Sequence, residues 1–148
     1  MSFSLDLTKF IEKAKANTEL VVQKVAIDML SAVVDRSPVG NAELWLDPSA
    51  GEGYIGGRFR GNWQVSFNVA ATGALDRIDP QGSSIKQAGV TFIQAYTSEI
   101  GSIWMMNNVP YAQRLEYGHS SQAPNGMVRL TVTEFQIFVN KAVQELPD

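Results

Sequence analysis

The chain has 148 residues, a net charge of −3, an apolar fraction of 45% and a charged fraction of 18%. That is enough for one globular domain with a real core, and the charge balance argues against binding driven by a basic face, because phosphate affinity rests on clustered Lys and Arg. With no cysteine, disulfides, thiolate metal sites and Cys nucleophiles are excluded. The opening MSFSLDLTKF lacks the basic and apolar regions of a signal peptide, and no apolar run approaches the ~18 residues of a membrane span. A soluble chain made in the cytosol is expected.

A long helix is predicted from about Asp6 to Arg36. Leu7, Ile11, Ala14, Thr18, Val21, Val22, Val25, Met29 and Val33 recur at helical spacing. Asp6 is its expected cap, and Ser37-Pro38 its stop, since proline disfavours helical geometry in the residue before it. Residues 38–61 follow with six glycines and two prolines, a loop longer than ordinary connections. Trp45, Leu46, Tyr54 and Ile55 lie in it, and they bury either on their own domain or on a neighbouring chain.

Gly61–Asn68 alternates like a half-buried strand, with Trp63, Val65 and Phe67 on one side. The next stretch, VAATGALDRIDP, either extends it or forms a second strand, with Gly73 as turn or bulge. Gly82-Ser83-Ser84 opens a helix bearing Ile85, Ala88, Gly89, Phe92 and Tyr96, although Val90, Thr91 and Ile93 raise strand propensity. Ile100–Met106 is apolar on both faces, which predicts a central strand covered on each side. Asn108 is the expected cap of a short helix through Leu115, with Gly118 as the left-handed residue after it. SSQAPNG is a turn. A last helix is expected from Met127 to about Leu146, capped by Asn125 and ended by Pro147, with Val128, Val132, Phe135, Val139, Ala142, Val143 and Leu146 on one face. The sum is an α+β fold: a small, mainly antiparallel sheet packed by a long N-terminal and a C-terminal helix, with a long Gly-rich loop.

Few residues invite chemistry. Gly51-Glu52-Gly53-Tyr54-Ile55-Gly56 spells GxGxxG, but the strand before and helix after that a dinucleotide site needs are missing. His119 is the only histidine, and neither HxH nor HExxH occurs. A small hydrolase or ligand-binding domain using His119 is the alternative of another class; for a hydrolase with Ser120 or Ser121 the nucleophile elbow is lacking, and a turn histidine paired with Glu116 is the simpler reading. Arg58 and Arg60 flank Phe59 as a small basic-aromatic patch for phosphate or a partner carboxylate, or else as two solvated arginines at a strand edge. Arg114, Glu116 and Arg129 lie among Tyr111, Leu115, Tyr117 and Met127, residue types enriched at interface hot spots.

Two segments carry a family resemblance: Ser37–Ser66, through SPVGNAELW and GGRFRGNWQVS, and NNVPYAQRLEYGHSSQAPNGMVRLTV from Asn107 to Val132. They resemble the neck, or tail-completion, proteins of long-tailed phages, the head-tail joining proteins that include the lambda-type minor tail protein Z group. The resemblance implies a structural virion protein, not an enzyme, with no cofactor or metal, assembled in the host cytoplasm. It implies a six-subunit ring that completes the upper end of the tail and joins it to the filled head. Its partners would be further copies of itself, the head connector or stopper, and tail terminator or tube proteins. DNA would pass through the lumen without specific binding, and no membrane is involved. A tail terminator or tube-associated position is the neighbouring alternative. A loop that buries apolar residues only on assembly suits a ring subunit. The expected subunit or partner contacts are Trp45, Leu46, Tyr54, Ile55, Arg58, Phe59, Arg60, Tyr111, Arg114 and Tyr117.

Overall fold

The computed structural model describes the backbone of residues 3–147 and, within it, the side chains of Lys9 and of residues 11–147. The first element, α1, runs Phe3–Arg36. Its 34 residues make a rod about 50 Å long. It starts upstream of Asp6, so the expected cap position is already helical, and the Asp6 and Leu7 side chains lie outside the described residues. From Val25 to Val34 its inner face is buried, with Leu30 and Val34 sealed from solvent. Residues 11–16 are exposed on all sides, so this part of the rod stands off the body.

Strands β1 (Trp63–Phe67) and β2 (Ile103–Asn107) pair antiparallel, with Trp63 opposite Asn107 and Phe67 opposite Ile103. No third strand joins them among the described residues, so β2 is an edge, not the central strand that its apolar faces predicted. Trp104 is accordingly 42% exposed on the outer side. The VAATGALDRIDP segment forms no strand. It follows the sheet irregularly, held by side chains: Asn62 Oδ1 accepts from the Leu75 amide (2.7 Å), and Asn108 Nδ2 donates to the Ala71 carbonyl (2.9 Å).

Helix α2 (Ser83–Ile93) settles the ambiguous segment as helical. The buried Asp79 carboxylate accepts the Gly82 and Ile85 amides at its start. α2 crosses α1 so closely that a Cβ on Gly89 would lie 2.1 Å from Leu30 Cδ2. The buried positions are Ile85, Gly89 and Ile93, while Ala88 and Phe92 of the expected face are exposed.

Short helix α3 spans Ala112–Glu116. Asn108 does not cap it; the Asn108 amide is spent on the 71–73 segment instead. Its far end matches expectation: Gly118 has φ +91°, its amide reaches the Leu115 carbonyl, and the His119 amide reaches the Arg114 carbonyl. That paired pattern closes a helix through a left-handed residue.

The expected last helix is two: α4 (Val128–Thr133) and α5 (Phe135–Gln144), broken at Glu134. Four β-branched residues within α4 weaken its helical preference. Arg36, at the end of α1, donates to Thr131 Oγ1 (2.9 Å) and pairs with the Glu134 carboxylate at the break. α5 then packs along α1. The core gathers Leu30, Val33, Val34, Phe59, Trp63, Ile85, Ile93, Val109 and Met127. At its centre the Trp63 indole N–H donates to Ser37 Oγ (2.7 Å), and the Ser37 hydroxyl donates to the Val33 carbonyl (2.6 Å). No buried side-chain polar atom among the described residues is left without a partner.

Candidate assembly surface

The 38–61 loop is built, not loose. Asn41 Oδ1 accepts the Glu43 amide and Asp47 Oδ1 the Ser49 amide, so two short 3-10 turns, Ala42–Leu44 and Pro48–Gly51, are each capped. The hydrogen bond from the Ser49 hydroxyl leads the effects that hold the Asp47 carboxyl below its usual range. The turns meet at Gly51, where a Cβ would come 2.3 Å from that of Ala42, and the Trp45 and Tyr54 rings pack at 5.0 Å. Gln122 spans to the loop by two hydrogen bonds with the Val39 backbone. On this scaffold Leu44 is 78% exposed, Leu46 fully exposed and Ile55 63% exposed.

The ten expected contact residues divide. Trp45, Leu46, Tyr54 and Ile55 are solvent-facing on the loop, and Arg58, Arg114 and Tyr117 are also exposed. Tyr111 is exposed at the border, and burial pushes its phenol up while the Arg58 guanidinium offsets part of that. Phe59 is corrected: only 4% exposed, it stacks edge-on against Trp63 inside the core, because the chain must turn inward there to enter β1. Arg60 is corrected as well. Its guanidinium is consumed within the fold, donating to the carbonyls of Ser37 (2.7 and 3.1 Å) and Pro80 (2.8 Å).

His119 lies in an open depression of about 470 Å³ with Trp45, Tyr54, Arg58, Tyr111 and Gln122. Among the described residues no hydrogen bond joins its imidazole to another side chain, and Ser120 Oγ instead accepts the Gln122 amide. The expected pairing of His119 with Glu116 is replaced by a different one. Glu116 turns to the start of α4, where its carboxylate accepts the amides of Met127 (2.9 Å), Val128 (3.0 Å) and Arg129 (2.9 Å). It therefore does the capping expected of Asn125. Burial would raise the Glu116 carboxyl, but these amides and the Arg129 side chain outweigh it and hold it low. Arg129 in turn lies 5.1 Å over the Tyr117 ring.

A second surface was not expected. Val128, Val132 and Phe135, assigned to a covered helix face, instead line an open apolar groove of about 530 Å³ together with Val22, Val25 and Met29 of α1. The missing signal was the split at Glu134, which the periodicity of a continuous helix conceals. No family model, curated protein or solved structure matches this chain. Among the described residues there is no cluster of three or more metal-ligating side chains, and no helix is long and apolar enough to cross a membrane. The 38–61 loop is thus a capped, packed platform presenting exposed aliphatic side chains, with a groove elsewhere on the same chain.

Proposed function

We propose that this chain is a structural virion protein of the neck of a long-tailed phage, one subunit of a ring that completes the tail and joins it to the DNA-filled head. The observation that carries the reading is the pre-shaped 38–61 loop, which holds Leu44, Leu46 and Ile55 in water on a capped, packed scaffold. Monomeric proteins expose single apolar residues freely, but a rigid group of them marks a surface that becomes covered. The likeness of SPVGNAELW, GGRFRGNWQVS and NNVPYAQRLEYGHSSQAPNGMVRLTV to tail-completion proteins supports the phage neck as the assembly in which that surface is covered. A net charge of −3 suits a lumen through which DNA slides without adhering.

Electron microscopy of particles carrying a labelled copy of the chain tests this directly. Density between the head connector and the tail terminator is expected. Density at the terminator ring or along the tube would move the protein to a neighbouring position, and particles that join heads to tails without the chain would overturn the proposal.

A further inference from the structure

The depression that holds His119 differs in charge from the surface around it. Among the described residues, Arg36 and Arg129 pair with acids, and Arg60 and Arg77 donate to backbone carbonyls. Arg58 and Arg114 enter no such ion pair, and of the two Arg58 lines the depression. Its backbone is fixed, because its carbonyl accepts from Asn62 Nδ2 (2.7 Å) and the next residue, Phe59, is buried. Burial raises the Tyr111 phenol, and the Arg58 guanidinium beside it offsets part of that rise. No carboxylate lines the depression. The acids closest in sequence are engaged elsewhere: Glu116 caps α4, Asp47 caps the Pro48–Gly51 turn, and Glu43 lines a different recess. Glu52 lines neither recess. The remaining lining is aromatic. Trp45 and Tyr54 enter as a packed pair, and Tyr111 is backed by Phe59 with ring centres 6.4 Å apart.

We infer that this depression docks a segment of a partner protein that presents a carboxylate beside an aromatic side chain. The carboxylate takes the Arg58 guanidinium, whose planar fork donates two parallel hydrogen bonds to such a group. The protonated Tyr111 hydroxyl is a further donor beside it, and the aromatic side chain lies against Trp45 and Tyr54. Two physical points select this occupant. A chain of net charge −3 repels a phosphate dianion more strongly than a carboxylate, and one guanidinium matches one carboxylate. Sites for free small molecules bury most of the ligand, whereas this depression is open and suits the tip of a larger partner whose other contacts lie outside it. The inference takes one wall from the loop platform and does not rest on the phage reading.

His119 is the only histidine, so its imidazole C–H signals report on the depression without overlap from another histidine. The full chain is titrated by proton NMR with the blocked tetrapeptide Ala-Phe-Asp-Ala. A saturable shift of the His119 signals is expected. Exchanging the peptide's aspartate for asparagine removes only the charge and should weaken binding roughly tenfold or more. Exchanging its phenylalanine for alanine should weaken binding as well. On the protein, Arg58→Gln should lose the preference for aspartate over asparagine, and Arg58→Lys should recover part of it, keeping the charge without the fork. Lys13→Gln removes one positive charge from the exposed start of α1 and should bind as the unmodified chain does. Arg58 is itself exposed, and circular dichroism confirms that its variants keep the fold. Absence of any shift up to the solubility limit of the peptide, equal binding of the aspartate and asparagine peptides, equal binding without the ring, an Arg58→Gln chain that still prefers aspartate, or an equal loss in Lys13→Gln would each overturn the site. Tighter binding of the phosphoserine peptide would make it a phosphate site. Tighter binding of N-acetylphenylalanine would give it to a free aromatic acid. Either result would overturn the partner segment.

Discussion

The carboxylate of Glu116 and the guanidinium of Arg129 form a closed pair across the turn between α3 and α4. Glu116 Oε1 accepts both the Arg129 amide (2.9 Å) and its Nε (3.3 Å), while Arg129 donates back to the Glu116 carbonyl. One side chain thereby ties the end of one helix to the start of the next. Glu116→Ala is expected to cost about 2 kcal/mol, combining a lost cap with lost charge-assisted hydrogen bonds. A thermal melt should fall by roughly 4–8 °C for a domain of this size. Unchanged melting would mean that water replaces the carboxylate without loss.

The same carboxyl sets a pH window. Its value is held low in the folded chain, so its contribution is present above the unfolded carboxyl value of about 4.3 and is lost as pH falls through the folded value. Urea titrations from about pH 6 down to about pH 3 should show the unmodified chain losing more stability than Glu116→Gln, which has no charge to neutralise. Parallel losses in the two proteins would assign the acid sensitivity elsewhere.

Ser37→Ala should be costly for its size. It removes the acceptor of the Trp63 indole N–H in a place that water does not reach, and such orphaned donors cost about 1–3 kcal/mol. Denaturant midpoints measure the loss, and a red shift of Trp63 emission would accompany any rearrangement of the ring.

Gly89→Ala probes the α1–α2 crossing. The added methyl would meet the buried Leu30 side chain at 2.1 Å, and overpacking of this kind costs about 1–3 kcal/mol. Greater stability after the change would show that Leu30 turns aside freely, so that the helices are not held at closest approach.

Leu46→Ser should behave in the opposite manner. Leu46 is fully exposed, so stability is expected to stay within about 0.5 kcal/mol. Association is where the change should register. Hydrogen exchange across residues 42–57 should slow only in the assembled state, and equal rates before and after assembly would take this loop out of the interface.

Much of the fold is readable from periodicity and punctuation. The helix ending at Ser37-Pro38, its buried face from Val25 on, a strand at Trp63–Phe67, and Gly118 are local signals with local causes that reappear in place, whereas Ile11, Ala14 and Thr18 of the expected stripe stay exposed and Val65 and Phe67 are no more buried than Gln64 and Ser66. What escaped was decided at a distance. Asn108 and Asn125 are good capping residues, but Asn108 is claimed by the 71–73 segment, and Glu116, eleven residues before Met127, reaches α4 first. Phe59 and Arg60 read as surface because aromatic and basic residues beside glycine suggest a contact, whereas the turn into β1 drives one inward and folds the other onto Ser37. The break at Glu134 is met by Arg36, nearly a hundred residues earlier, a pairing that no window of sequence contains.

The Arg60 clasp on the Ser37 carbonyl has one more outcome. It pins together the two points at which the 38–59 stretch leaves and rejoins the domain, and Gln122 on Val39 and the buried Phe59 fix the same two ends, so residues 42–55 form a handle held at its base. Lengthening a segment whose ends are already held costs little, about 0.6 kcal/mol for each doubling. Residues 42–55 can therefore be exchanged for another sequence while Phe59, Trp63 and the core beneath them stay as they are. The chain separates the part that must fold from the part that chooses company, with one arginine marking the border.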